Sequence, residues 1–193
     1  MIDKLIAKEG YKSVFSFLFL TIVFLIIDCE FLSFVFFALT LWFIFIYRNK
    51  RIKKDYDISD ILSPVSGEIS SIDRKDNKTL ISIDVSLLDS HILRAPKNGS
   101  FVVKQEKGVH TLLDSFKAKR LNQKIILQYS DMKIELISSL YNTDINIDVN
   151  DALMGDKLSV FLHGQVVIEL DNSKNILVNI GNKLQSGKTV IAR

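Results

Sequence analysis

The chain has a single cysteine, Cys29, which excludes an internal disulfide framework and any metal site built on several thiolates. Histidine is scarce too. His91, His110 and His163 lie far apart, with no cysteine or carboxylate at ligand spacing, so no metal-binding pattern is present. A strong charge imbalance is also missing: the formal net charge is +3, too small to mark a nucleic-acid partner. There is no internal repeat and no low-complexity segment. What is present in excess is apolar sequence at one end. Hydrophobic residues make up 48% of the chain, an ordinary globular level, but the first quarter is almost continuously apolar.

Residues 11–27 and 31–47 are nearly pure Phe, Leu, Ile and Val, separated by Asp28-Cys29-Glu30. Each run is about 17 residues, or roughly 25 Å as a helix, at the short end of what spans a bilayer. Two such helices joined by a tight acidic turn predict a transmembrane hairpin, because backbone in lipid must satisfy its own hydrogen bonds. A cleavable signal peptide fits less well, since no small-residue cleavage site follows the first run and a second apolar run does. Lys4, Lys8 and Lys12 flank the first run, and Arg48, Lys50, Arg51, Lys53 and Lys54 follow the second. Basic flanks predict that both ends, and the domain beyond them, lie on the cytoplasmic side of the cell (inner) membrane. The same basic cluster is either a topology signal alone or a surface for anionic lipid heads. The expected organisation is an anchor over 1–52, a linker over 53–61 and a β domain over 62–193.

Beyond the linker the pattern changes to short β-branched runs punctuated by Gly, Asn, Asp and Ser. Strands are expected at 67–72, 78–84, 99–105, 124–129, 132–138, 157–162, 165–170 and 176–180, with a short strand closing the chain. Residues 107–120 hold the one helix-like pattern in this part. The expected fold class is mainly β (α+β): an N-terminal two-helix hairpin, then a compact β domain of barrel-sandwich type.

Four motifs stand in order behind the apolar hairpin. They are Ser63-Pro64-Val65-Ser66-Gly67, then Asp89-Ser-His91-x-x-Arg94-Ala95-Pro96, then Gly155 followed by Phe161-Leu-His163-Gly164-Gln165, and finally Leu184-Gln-Ser-Gly187-Lys-Thr-Val-Ile-Ala192. Together they resemble the short, membrane-anchored form of the phosphatidylserine decarboxylase family, almost end to end. Decarboxylation needs an electron sink. The resemblance implies a pyruvoyl group, which the family makes by cutting its own chain at a Gly-Ser step. The serine hydroxyl attacks the carbonyl of the preceding glycine, and the resulting ester is then eliminated across the serine's Cα–Cβ bond. A His–Asp pair helps to remove the hydroxyl proton.

Here the cleavage-site equivalent is Gly164-Gln165. Gln165, in place of the pyruvoyl serine, is a very poor nucleophile with no β-oxygen to eliminate. Ser66 stands in place of the aspartate, and His91 keeps the family position without its neighbours, either as a structural residue or as an acid/base. The family's Glu-x-x-Asn-Glu-Arg stretch is reduced to Lys119-Arg-Leu-Asn-Gln-Lys124. The expectation is therefore a member without a cofactor, retaining a phospholipid-facing surface or binding a partner such as an active paralogue or a second copy of itself. Two other readings compete: an active decarboxylase with atypical maturation, and a biotinyl- or lipoyl-like carrier using Lys133 of Asp131-Met-Lys-Ile134. Gly99-Ser100 reads as a turn rather than a displaced cleavage site. The stretch from Gly181 to Thr189 has the wrong glycine spacing for a phosphate loop, and no helix can follow it.

Overall fold

The fold is that of a computed structural model, which describes residues 6–49, 56–113, 115–140 and 145–193. The chain divides into two compact units, Met1–Arg51 and Ile52–Arg193.

The first unit is a pair of helices, α1 (Tyr11–Ile26) and α2 (Glu30–Ile46). The turn between them places Asp28 at φ 54°, a left-handed conformation that aspartate tolerates better than most residues. The facing surfaces carry Thr21, Ser33 and Thr40, all buried, and the Ser33 hydroxyl donates to the Thr21 carbonyl across the pair at 3.3 Å. Small polar residues let helix backbones approach closely in an apolar medium. Phe17 stacks on Phe43 with ring centroids 5.0 Å apart, and Phe24 on Phe36 at 5.2 Å. Most of the other large side chains, among them Phe19, Ile26, Phe31 and Phe34, point outward and are exposed. Among the described residues one helical stretch, Lys8–Ile26, is long and apolar enough to cross a membrane, with 19 residues and mean hydropathy 1.6; Glu30–Ile46 is shorter. The ends of the pair meet, with Ala7 N donating to Tyr47 O at 2.8 Å. Arg48 donates to the Phe45 carbonyl at 2.9 Å and lies over the Phe45 ring, so it closes the C-terminal end of α2. The rest of the expected lipid-surface cluster, Lys50, Arg51, Lys53 and Lys54, lies outside the described residues.

Among the described residues the second unit has thirteen strands. They are β1 (Ile61–Leu62), β2 (Gly67–Lys75), β3 (Lys78–Val85), β4 (Ile92–Arg94), β5 (Gly99–Ser100), β6 (Val102–Glu106), β7 (Lys124–Gln128), β8 (Met132–Ser138), β9 (Asp151–Ala152), β10 (Lys157–Val160), β11 (Gly164–Asp171), β12 (Lys183–Leu184) and β13 (Val190–Ala192). One short helix, α3 (Phe116–Leu121), is capped by Ser115, whose hydroxyl accepts from Ala118 N. Seven strands form one antiparallel sheet in the order β12-β2-β3-β11-β8-β7-β6. Side chains alternate along its central members. Ile81 and Ile83 of β3, Ile134 and Leu136 of β8, and Val166, Ile168 and Leu170 of β11 face inward and are fully buried under Leu93, Leu158 and Phe161. The outward positions carry ion pairs such as Lys124–Glu135 at 2.8 Å.

The domain is mainly β, as expected, and its main sheet does not close into a barrel. Its edges, β12 and β6, are not paired with each other, and the remaining strands form three separate two-stranded ladders, β1 with β13, β4 with β10 and β5 with β9. Two expectations change. Residues 176–180 are not a named strand: Ile176 bridges Ala192 and Leu177 N donates to Ile191 O at 3.0 Å, but the turn at Asn179–Asn182, with Gly181 at φ 83°, ends the pairing there. The helix pattern at 107–120 shrinks to α3, because Val109 is held extended in a parallel bridge to Asn122.

Candidate functional site

The four sequence motifs come together through buried backbone. Ser63 N donates to Thr189 O at 2.8 Å, and Gly187 N returns a bond to Ser63 O at 2.8 Å. Arg94 N donates to Pro64 O at 2.9 Å, Ala95 N to Asp156 O at 2.9 Å, and Gly155 N to Ala95 O at 2.8 Å. The buried Arg94 side chain adds a bond from Nη1 to Gly155 O at 2.9 Å; burial lowers its pKa, and the nearby Asp156 charge opposes that. Ser186 is the meeting point. Its N–H donates to Ser66 Oγ at 3.0 Å, and its hydroxyl proton is shared between Ile92 O at 2.7 Å and Pro64 O at 3.0 Å.

Ser66 is therefore buried and holds a backbone amide, the work of a short neutral acceptor. His91 is 1% exposed, and its Nε2 lies 3.1 Å from Leu87 O. Asp89 shapes the turn that presents this carbonyl: its carboxylate accepts from Ser86 N at 2.9 Å, and its own N–H donates to Ser86 O. The Asp-x-His pair thus has a local structural use that requires no reaction.

Gly164 begins β11, the central strand, at φ +148°. A Cβ there would come within 2.2 Å of Ile137 O and 2.8 Å of the Phe161 ring. Glycine is required by sterics alone. Gln165 follows, opposite Asp84 on β3 and Ile137 on β8. It is buried, and its amide donates to Asp84 Oδ1 at 2.7 Å and to Ser70 Oγ at 3.4 Å. An amide tied to a carboxylate is a good structural link and supplies no hydroxyl. The residues at this step therefore do not fit a self-generated pyruvoyl group.

Asp84 and Ser70 also line a cleft of about 510 Å³ with Glu68, Ser86, Asp89, His163 and Lys183. The His163 pKa is lowered by burial, against a smaller opposing effect of the Asp84 charge. Its backbone carbonyl accepts from Ser139 N at 3.2 Å. No group of His, Cys, Asp and Glu among the described residues is arranged to hold a metal. Lys133, the candidate carrier lysine, sits within the β8 ladder opposite Gln128 and Glu169 and pairs with Glu135 at 3.5 Å. Three important residues escaped the sequence reading. Ser186 was visible only as the residue before Gly187, whereas the pairing of Asp84 with Gln165 and the buried role of Asn122 depend on strand register.

The chain is similar over nearly its whole length to two curated proteins. The phosphatidylserine decarboxylase proenzyme of Syntrophotalea carbinolica is 24% identical over 203 residues, covering 96% of this chain and 95% of that protein. That of Desulfotalea psychrophila is 25% identical over 209 residues, covering 97% and 96%. No family model matches the chain, and no solved structure does.

Two outcomes follow from this geometry. Gly164→Ala should destabilise the domain by about 1–3 kcal/mol, through the clash and the unfavourable φ, as read by a lower thermal midpoint. The His163 pKa is depressed on folding, so the unfolded chain binds a proton first as pH falls. Its contribution to stability is complete above the ordinary value of about 6.5 and is lost as pH falls through the lower folded value. The thermal midpoint should therefore fall less steeply with acidification in His163→Gln than in the parent; equal slopes would contradict this.

Proposed function

The chain belongs to the phosphatidylserine decarboxylase family, and we propose that it is a membrane-anchored member that forms no pyruvoyl group and serves as a lipid- or partner-binding relative in phospholipid metabolism. One observation carries this reading. The position after Gly164 is a glutamine whose amide is 2.7 Å from the Asp84 carboxylate, inside the central strand of the sheet. Self-cleavage in the family sense needs an oxygen on the β-carbon of that residue, first to attack and then to leave. Gln165 has carbon there. Ser66 points the same way, since its hydroxyl accepts a backbone amide and carries no charge with which to orient an imidazole.

Similarity to the two proenzymes runs over nearly the whole chain, which favours a surviving binding role over simple decay. The long apolar helix Lys8–Ile26 supports attachment to the cell membrane, and the basic residues flanking the hairpin support a cytoplasmic position for the β domain. Partners consistent with this role are membrane phospholipid and an active decarboxylase paralogue or a second copy of the chain.

The test is decarboxylation by the purified full chain in mixed micelles containing phosphatidylserine labelled at the serine carboxyl. Labelled carbon dioxide should not exceed the protein-free blank, and Gln165→Ala should not change that result. Release that Gln165→Ala abolishes would overturn the proposal.

A further inference from the structure

Residues 107–121 present apolar side chains that the sheet does not cover. Phe116 on α3 is 77% exposed, and Val109, Leu112, Leu121 and Leu140 are each exposed by about half. They stand on a tied platform. Val109 N donates to Leu121 O at 3.0 Å, and Gln123 N donates to Val109 O at 3.0 Å. Asn122, 2% exposed, holds the centre, with its amide donating to Thr111 O at 2.7 Å and to Ser138 O at 2.8 Å. Ser139 Oγ donates to Thr111 O at 3.2 Å, which brings in the neighbouring Leu140. Large apolar groups carried on a tied backbone and left to water mark an interaction surface.

Its charge indicates what covers it. Across 107–121 the sequence has Lys107, Lys117, Lys119 and Arg120 against a single acidic residue, Asp114. Lys107, Lys117 and Arg120 are exposed, and Lys119 is half-buried. Basic residues around a shallow apolar cluster match the two layers of an anionic leaflet, with negative head groups outside and apolar chains beneath. The same chain carries an apolar helix long enough to cross a membrane, and insertion of that helix would hold the platform at high local concentration near such a surface. We infer that the 107–121 platform is a second, peripheral membrane contact. It seats Phe116, Leu112 and Leu121 at the head-group boundary of an anionic leaflet, with Lys117, Lys119 and Arg120 against lipid phosphates. The inference is independent of whether the chain cleaves itself.

The test uses the full chain carrying Cys29→Ser and one new cysteine, Phe116→Cys or, as a control, Ser173→Cys in the exposed turn after β11. Each is labelled with an environment-sensitive fluorophore and reconstituted into phosphatidylcholine vesicles with or without phosphatidylglycerol. At position 116 the emission should shift to the blue in anionic vesicles and be quenched by bilayer-embedded doxyl lipid, while the label at 173 stays water-like. Combining Lys117→Glu, Lys119→Glu and Arg120→Glu should reduce the inserted fraction about tenfold or more. Water-like emission at 116 in both vesicle types would overturn the inference. So would a blue shift without lipid quenching, which would mean a protein cover. Equal quenching in neutral and anionic vesicles would overturn the role given to the basic residues.

Discussion

The buried hydrogen bonds around Ser63, Ser66 and Ser186 are the constraint on which the β domain depends. They join the start of the domain, the segment from His91 to Pro96, Gly155, and the final turn before β13. None of these segments is long enough to make a stable ladder by itself. Each buried donor or acceptor left without its partner would cost about 1–3 kcal/mol. Residues that the family resemblance marks as functional are therefore held here by folding as well. Arg94 donates from its guanidinium to Gly155 O, and Ser66 Oγ accepts from Ser186 N.

This separates two parts of the Gly164-Gln165 step that are joined in the family chemistry. The glycine is fixed by the approach of Ile137 O and the Phe161 ring, whatever follows it. The next residue is limited only by what fits beside Asp84 on the outer side of the strand pair. A side chain that donates to that carboxylate satisfies a buried polar site, and glutamine does so. Replacement of a serine there is thus compatible with an intact fold.

Much of the architecture was legible in sequence because the long elements carry strong periods. The two apolar runs became α1 and α2 within a residue of their expected ends, and the runs expected as strands at 78–84, 132–138 and 165–170 became β3, β8 and β11. Elements of two or three residues, such as β1, β4 and β9, have no period to read and exist only through partners distant in the chain. The strand order of the seven-stranded sheet has a related cause, since it depends on which edges meet and not on any one strand. At the site, the loss of the serine could be read directly from Gln165. Its engagement with Asp84 could not, because that contact follows from a register set by the whole of β3 and β11.

The central claim is that the chain does not cut itself, and the intact mass of the purified, detergent-solubilised protein tests it most directly. The account predicts one species at the full mass of 22.0 kDa. Two fragments, with the smaller beginning at Gln165 and blocked at its N-terminus, would contradict it.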